Sequence, residues 1–198
     1  MVDLSKLRSL VRDNGYLYTK DVTNAGIRRE NLKKFLDEGI IVRESRGIYS
    51  FTDEWNDEFV LLQEKCKKGV FSYGTALYFH GLSDRFPEKI SMTVPKNYNV
   101  FYLKEKLTNV EFHRIKPALW NLGIIEMTSP QGGNILVYDI ERCICDIIRN
   151  KKDADPQIFI QSIKGYFSLK NHNYSKIVEY AKQFHIEKEI YIYIEVLT

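Results

Sequence analysis

Two helix-forming segments lie on either side of Gly26, and a basic hairpin follows them directly; few folds accommodate that order. Upstream, Asp3 is placed to cap a helix with Leu4, Leu7, Leu10 and Val11 on one face, ending near Asn14-Gly15. Tyr16-Leu17-Tyr18 reads as a short extended piece. Thr19 is then expected to cap a helix from Lys20 to Asn24, with Val22 and Ala25 inward and the break at Gly26. A third helix is predicted from about Arg28 to Glu38, with Leu32, Phe35 and Leu36 as its buried stripe. Gly39 is well placed for a left-handed C-terminal stop. Ile40-Ile41-Val42 and Ile48-Tyr49-Ser50-Phe51 are β-prone runs flanking Arg43-Glu44-Ser45-Arg46-Gly47. Helix, short helix, glycine turn, helix and basic-tipped hairpin is the order of a winged helix-turn-helix.

Charge follows the same partition. The chain of 198 residues carries a formal net charge of only +3. Residues 1–50 hold ten bases against seven acids, and residues 51–198 hold nineteen of each. The whole excess therefore lies in the first quarter, as expected of a module that meets a polyanion. Domains are accordingly expected at 1–60, a winged helix-turn-helix with the start of a connector helix, and 61–198. With 44% apolar and 28% charged residues the chain has the composition of a globular protein. No apolar run approaches the ~18 residues of a membrane span, and MVDLSKLRSLV lacks the apolar core and cleavage site of a secretory leader. Cys66, Cys143 and Cys145 form no even disulfide framework, which fits a reducing cytoplasm.

Beyond the hairpin, Trp55, Phe59, Leu62 and Cys66 recur at helical spacing, an apolar stripe within a connector helix. The remainder reads as a mixed α/β domain with a small sheet and terminal helices, so the chain as a whole is α+β. Ser72 is expected to cap a helix from Tyr73 to His80, ended by Gly81. Strands are expected over 89–94 and 110–115, and a hairpin from 124–128 and 135–138 around Pro130-Gln131-Gly132-Gly133-Asn134. Asp139 is expected to cap a helix from Ile140 to Arg149, and further helices follow near 156–168, 174–184 and 187–196.

The third helix presents Glu30, Lys33, Lys34 and Asp37 outward, with Asn31 on the flank and Arg28 and Arg29 at its amino end. Arg and Lys pair with guanine, Asn with adenine and Glu with cytosine, so the residue types needed for major-groove reading are present. Arg43 and Arg46 suit phosphate contact from the hairpin, and Lys20 suits a phosphate anchor. A solvated polar helix face would use the same residues; the winged-helix order favours DNA. No enzymatic constellation emerges. Cys143-Ile144-Cys145 lacks a second thiol pair for zinc. Asp139 and Glu141 have the spacing of a nuclease acid pair, but Cys143 stands where a lysine would be wanted. Gly132-Gly133 is followed by no P-loop Lys-Ser/Thr, and His80, His113, His172 and His185 lie scattered. No cofactor and no metal site is expected.

With these residues in view, the chain resembles the AbiEi family, antitoxins of type IV toxin–antitoxin and abortive-infection systems. The resemblance rests on Leu32-Lys33-Lys34-Phe35-Leu36 through Gly39-Ile40 to Arg46-Gly47-Ile48-Tyr49. It continues through Ser72-Tyr73-Gly74-Thr75-Ala76-Leu77-Tyr78-Phe79-His80-Gly81-Leu82, Thr93-Val94-Pro95, Phe112-His113-Arg114 and Tyr138 to Asp146. It covers roughly residues 3–150, and departs at Arg28, where related chains more often begin the helix with a small capping residue. It implies a bifunctional protein. The winged helix would bind inverted repeats in its own double-stranded promoter and repress the operon. The C-terminal antitoxin domain would oppose a nucleotidyltransferase-like toxin without a stable complex. Motif positions carried over are Ser72, Thr75, His80, Arg114, Glu141, Arg142 and Asp146, which a purely structural role would also explain. The rival expectation is a plain winged-helix regulator whose C-terminal domain senses a ligand or dimerises.

Overall fold

The computed structural model describes residues 4–54 and 56–197; Asp3 and Trp55, expected as a helix cap and a connector contact, lie outside them. The chain divides into two compact units. One runs up to Lys65 and takes in Thr128–Ile135, and the other comprises Cys66–Met127 and Leu136 onward.

The first unit is built on Leu7, Leu17, Val22, Ile27, Leu32, Phe35, Ile41 and Phe51, which form one buried cluster. Helix α1 (Leu4–Arg8) is shorter than its apolar pattern predicts: Leu10 and Val11 close it by turn-type bonds to Leu7 and Arg8 and still pack on the cluster. Strand β1 (Leu17–Tyr18) leads into α2 (Thr19–Asn24), and α3 (Arg29–Asp37) follows the turn at Gly26. Thr19 is the first residue of α2 rather than its cap; Tyr18 holds the cap position and its side chain does not bond the helix end. Helix α3 closes as expected at Gly39, with Gly39 N–H on Leu36 O and Ile40 N–H on Phe35 O. Strands β2 (Ile41–Ser45) and β3 (Ile48–Phe51) form the hairpin, and the antiparallel sheet order is β1-β3-β2.

Helix α4 (Glu58–Lys65) completes this unit, burying Phe59, Val60 and Leu62. Asp57 begins it: Oδ1 accepts from Phe59 N and Val60 N at 2.9 and 3.2 Å. Its Oδ2 accepts from Gly133 N at 2.8 Å and from Ser129 Oγ. Tyr16 Oη donates to the Asp57 carbonyl at 2.8 Å. A Cβ on Gly133 would meet Val60 Cγ2 at 2.4 Å and Asp57 Oδ2 at 2.7 Å, so only glycine permits that approach. These bonds explain why 128–135, distant in sequence, belongs to this unit.

The second unit holds a five-stranded mixed sheet of order β6-β5-β4-β8-β7, from β4 (Val70–Phe71), β5 (Ile90–Pro95), β6 (Val110–Ile115), β7 (Ile124–Thr128) and β8 (Asn134–Tyr138). Strand β4 runs antiparallel to β5 and parallel to β8, and β5 runs parallel to β6. Every residue of β5 is buried. Helix α5 (Tyr73–Phe79) packs on β5 and on α8 (Ile140–Arg149), and α8 packs against α9 (Pro156–Phe167) and α10 (Tyr174–Phe184). Helix α11 (Glu187–Leu197) ends the described chain; α6 (Phe101–Lys106) and α7 (Pro117–Trp120) are short connections. None of the described helices is long and apolar enough to cross a membrane.

Candidate nucleic-acid interface

Burying Leu32 and Phe35 turns the opposite side of α3 outward, and Arg29, Glu30, Lys33 and Lys34 on it are exposed. Asn31 is half-buried on the flank. Arg28 stands just before the helix in an extended conformation (φ −70°, ψ 145°), and its carbonyl receives the Asn31 N–H at 3.1 Å. Lys34 lies 3.7 Å from Glu38 along the helix. The side chains of Arg28, Arg29 and Lys33 make no hydrogen bond or ion pair among the described residues, so their charges are available to an outside partner.

The hairpin is tied to the start of α2. Ser45 pairs with Ile48, leaving Arg46-Gly47 as a two-residue turn with Gly47 at φ +80°. The Thr19 N–H donates to the Gly47 carbonyl at 2.9 Å, which fixes the turn beside the start of α2, where Lys20 is exposed. Lys20 and Arg46 are therefore held in one neighbourhood. A register shift between Arg43 and Ser45 makes Glu44 an extra residue, and its Oε1 accepts from Ser50 Oγ at 2.7 Å. Arg43 is exposed, with Nε 3.3 Å from the Ser45 carbonyl.

Two other bases of the first fifty residues are spent internally. Arg12 pairs with Asp21 at 2.7 Å and lies 4.1 Å over the Tyr18 ring. Arg8 bonds Asp53 at 2.6 Å and also Glu54, with its guanidinium 4.3 Å from the Phe51 ring centre. The hydrogen bonds from these guanidiniums lower the Asp21 and Asp53 carboxyls below their ordinary values. Sequence reasoning missed the structural parts played by Thr19, Gly47, Arg8 and Arg12. All four act through contacts across 9 to 46 residues of chain, which periodicity does not register.

In the second unit, six of the seven motif positions belong to internal networks. Ser72 Oγ accepts from Thr93 Oγ1 at 2.9 Å instead of capping α5, and Thr75 Oγ1 accepts from Ser91 N at 2.9 Å. His80 Nε2 bonds the Tyr138 carbonyl at 2.7 Å. Arg142 is fully buried: Nε bonds Asp146 at 2.9 Å and Nη1 donates to the Leu119 and Leu122 carbonyls at 2.8 and 2.7 Å. Its guanidinium lies between Tyr138 and Phe184. Asp139 caps α8, and Lys176 of α10 reaches Asp139 and Glu141 at 3.0 and 3.4 Å. Arg114 alone is exposed; its Nη2 donates to the Lys96 and Tyr98 carbonyls. All three cysteines are buried and unpaired, and burial pushes the Cys66 thiol up to about 11. A cleft of about 790 Å³ opens between β6, α8 and the start of α5, lined by Tyr73, Lys104, Glu111 and His113 among others.

Comparison with known proteins bears on both units. Residues 5–52 match the family model described as "Transcriptional regulator, AbiEi antitoxin". The crystal structure of the RV2827C protein from Mycobacterium tuberculosis resembles 89% of this chain and 70% of its own, with a TM-score of 0.61 at 16% identity. That likeness establishes a shared α+β fold. None of the curated protein sequences compared matches the chain.

Proposed function

We propose, on the premise that residues 5–52 carry the winged helix of the AbiEi antitoxin family of transcriptional regulators, that this protein represses its own operon. In this reading α3 enters the major groove of an inverted repeat in the promoter. Arg28 and Arg29 approach base edges at the helix start, with Asn31 and Glu30 beside them, and Lys33 and Lys34 run along the groove wall. Lys20, Arg43 and Arg46 take backbone phosphates. The observation that carries the reading is the set of exposed bases whose side chains have no partner among the described residues: Arg28, Arg29 and Lys33 at α3, and Arg46 on a hairpin bonded to the start of α2 through Thr19 and Gly47.

The second unit, in the same proposal, opposes a cytoplasmic nucleotidyltransferase-like toxin without forming a stable complex. A second reading, a plain regulator whose C-terminal domain takes a small ligand, draws on the cleft beside Tyr73 and His113. Two experiments separate them. Binding of the full chain to its promoter fragment, with and without Arg29→Ala/Lys33→Ala/Lys34→Ala, tests the DNA half. Growth rescue on co-expression with a nucleotidyltransferase-like neighbour tests the antitoxin half, and rescue that persists in the triple variant distinguishes neutralisation from repression.

A further inference from the structure

We infer that the second unit carries a surface for single-stranded nucleic acid, separate from the winged helix and centred on Phe101 and Tyr102. These rings are 71% and 62% exposed on α6, more than any other aromatic side chain described. A phenyl ring left in water has no packing reason to be there, whereas a base can stack on it. Cations lie on and next to the same helix: Lys104 and Lys106 on α6, with Lys96 and Arg114 at the loop before it, are all exposed, and the Lys106 ammonium sits 4.5 Å from the Tyr102 ring centre. The support is rigid. Asn99 Oδ1 receives the Phe101 N–H at 2.9 Å, and Arg114 holds the loop before α6 through the Lys96 and Tyr98 carbonyls at 2.6 and 3.1 Å.

The charge is local. Residues 96–116 hold five bases and two acids, an excess of three, although residues 51–198 as a whole are balanced at nineteen each. Lys104 also lines the cleft beside Tyr73 and His113, whose wall is of mixed charge, so the basic patch is confined to α6 and its flanks. Lysines interleaved with aromatic rings are the pattern of sequence-tolerant strand binders, whose rings take successive bases and whose cations follow the phosphates. The core of a protein–protein patch, by contrast, is depleted of lysine. Paired bases in a duplex present no free face to such rings, which selects a single strand.

The test uses the full chain carrying Arg28→Ala/Arg29→Ala/Lys33→Ala, so that the winged helix does not contribute. Fluorescence anisotropy with labelled oligo(U) and oligo(dT) should give saturable binding, and the comparison tells RNA from DNA. Phe101→Ala/Tyr102→Ala should weaken it by about fivefold or more per ring. Lys104→Glu/Lys106→Glu, a second and independent variant, should flatten a log–log salt slope of about −2, the value for roughly three neutralised phosphates on a single strand. Circular dichroism should be unchanged in both, since all four side chains are exposed. Absence of binding in the winged-helix variant, or binding indifferent to both pairs of substitutions, overturns the proposal. So does self-association that Phe101→Ala/Tyr102→Ala abolishes while neither oligonucleotide binds, which would make the patch a protein contact.

Discussion

Arg142 and Arg29 illustrate the two uses this chain makes of a guanidinium. Arg142 is dry, bonded to Asp146 and two carbonyls, and removing the Asp146 charge leaves its guanidinium in the core with carbonyls alone. Asp146→Asn should cost about 3–5 kcal/mol of unfolding free energy, read from denaturant midpoints. A loss under about 1 kcal/mol would show that the pair contributes little. Arg29 has no partner among the described residues. Arg29→Ala/Lys33→Ala/Lys34→Ala should leave the melting temperature in place and weaken promoter binding by about a hundredfold or more, at roughly 1–3 kcal/mol per specific contact. Unchanged affinity would move the DNA surface elsewhere. Sequence periodicity distinguishes these two arginines only halfway: it places Arg29 outside, but says nothing of Leu119 and Leu122, whose carbonyls define the site of Arg142.

Burial acts in the same way on the histidines. His80 and His113 both have their imidazolium pKa lowered from 6.5, chiefly by desolvation. The unfolded chain then binds protons that the folded chain refuses, so stability is full above 6.5 and declines as pH falls below it. Thermal melts between about pH 7.5 and about pH 5.5 should show that decline, and His80→Gln should reduce it; a flat profile would contradict it.

Among the elements, α2, α3 and the hairpin are legible in the sequence because each carries a full apolar period and a punctuating glycine. Strand β4 has two residues, too few to show alternation, and α6 and α7 bury no residue, so neither carries an apolar stripe. The attachment of 128–135 to the first unit depends on Asp57, whose partners lie 72 and 76 residues away. The link between wing and helix is equally hidden, and it can be tested. Proline is tolerated at the first position of a helix, so Thr19→Pro deletes the N–H that bonds Gly47 while leaving α2 intact. Promoter binding should weaken by about fivefold, the equivalent of one hydrogen bond of roughly 1 kcal/mol. Hydrogen exchange should quicken in the Arg46-Gly47 turn. Unaltered exchange there would show that the wing is held by its own sheet alone.

For the molecule as a whole, the modest net charge conceals a division of labour. Of the ten bases in residues 1–50, Arg8 and Arg12 are paired with distant carboxylates, while the other eight, Lys6, Lys20, Arg28, Arg29, Lys33, Lys34, Arg43 and Arg46, are exposed. Deleting residues 1–60 would also strip Asp57 from Ser129 and Gly133, so side-chain substitutions separate the two activities more cleanly than truncation. The most direct test is the salt dependence of promoter binding by the intact protein. About five phosphate contacts predict a log–log slope of roughly −4 to −5. A slope near zero would contradict the assignment of these bases to DNA.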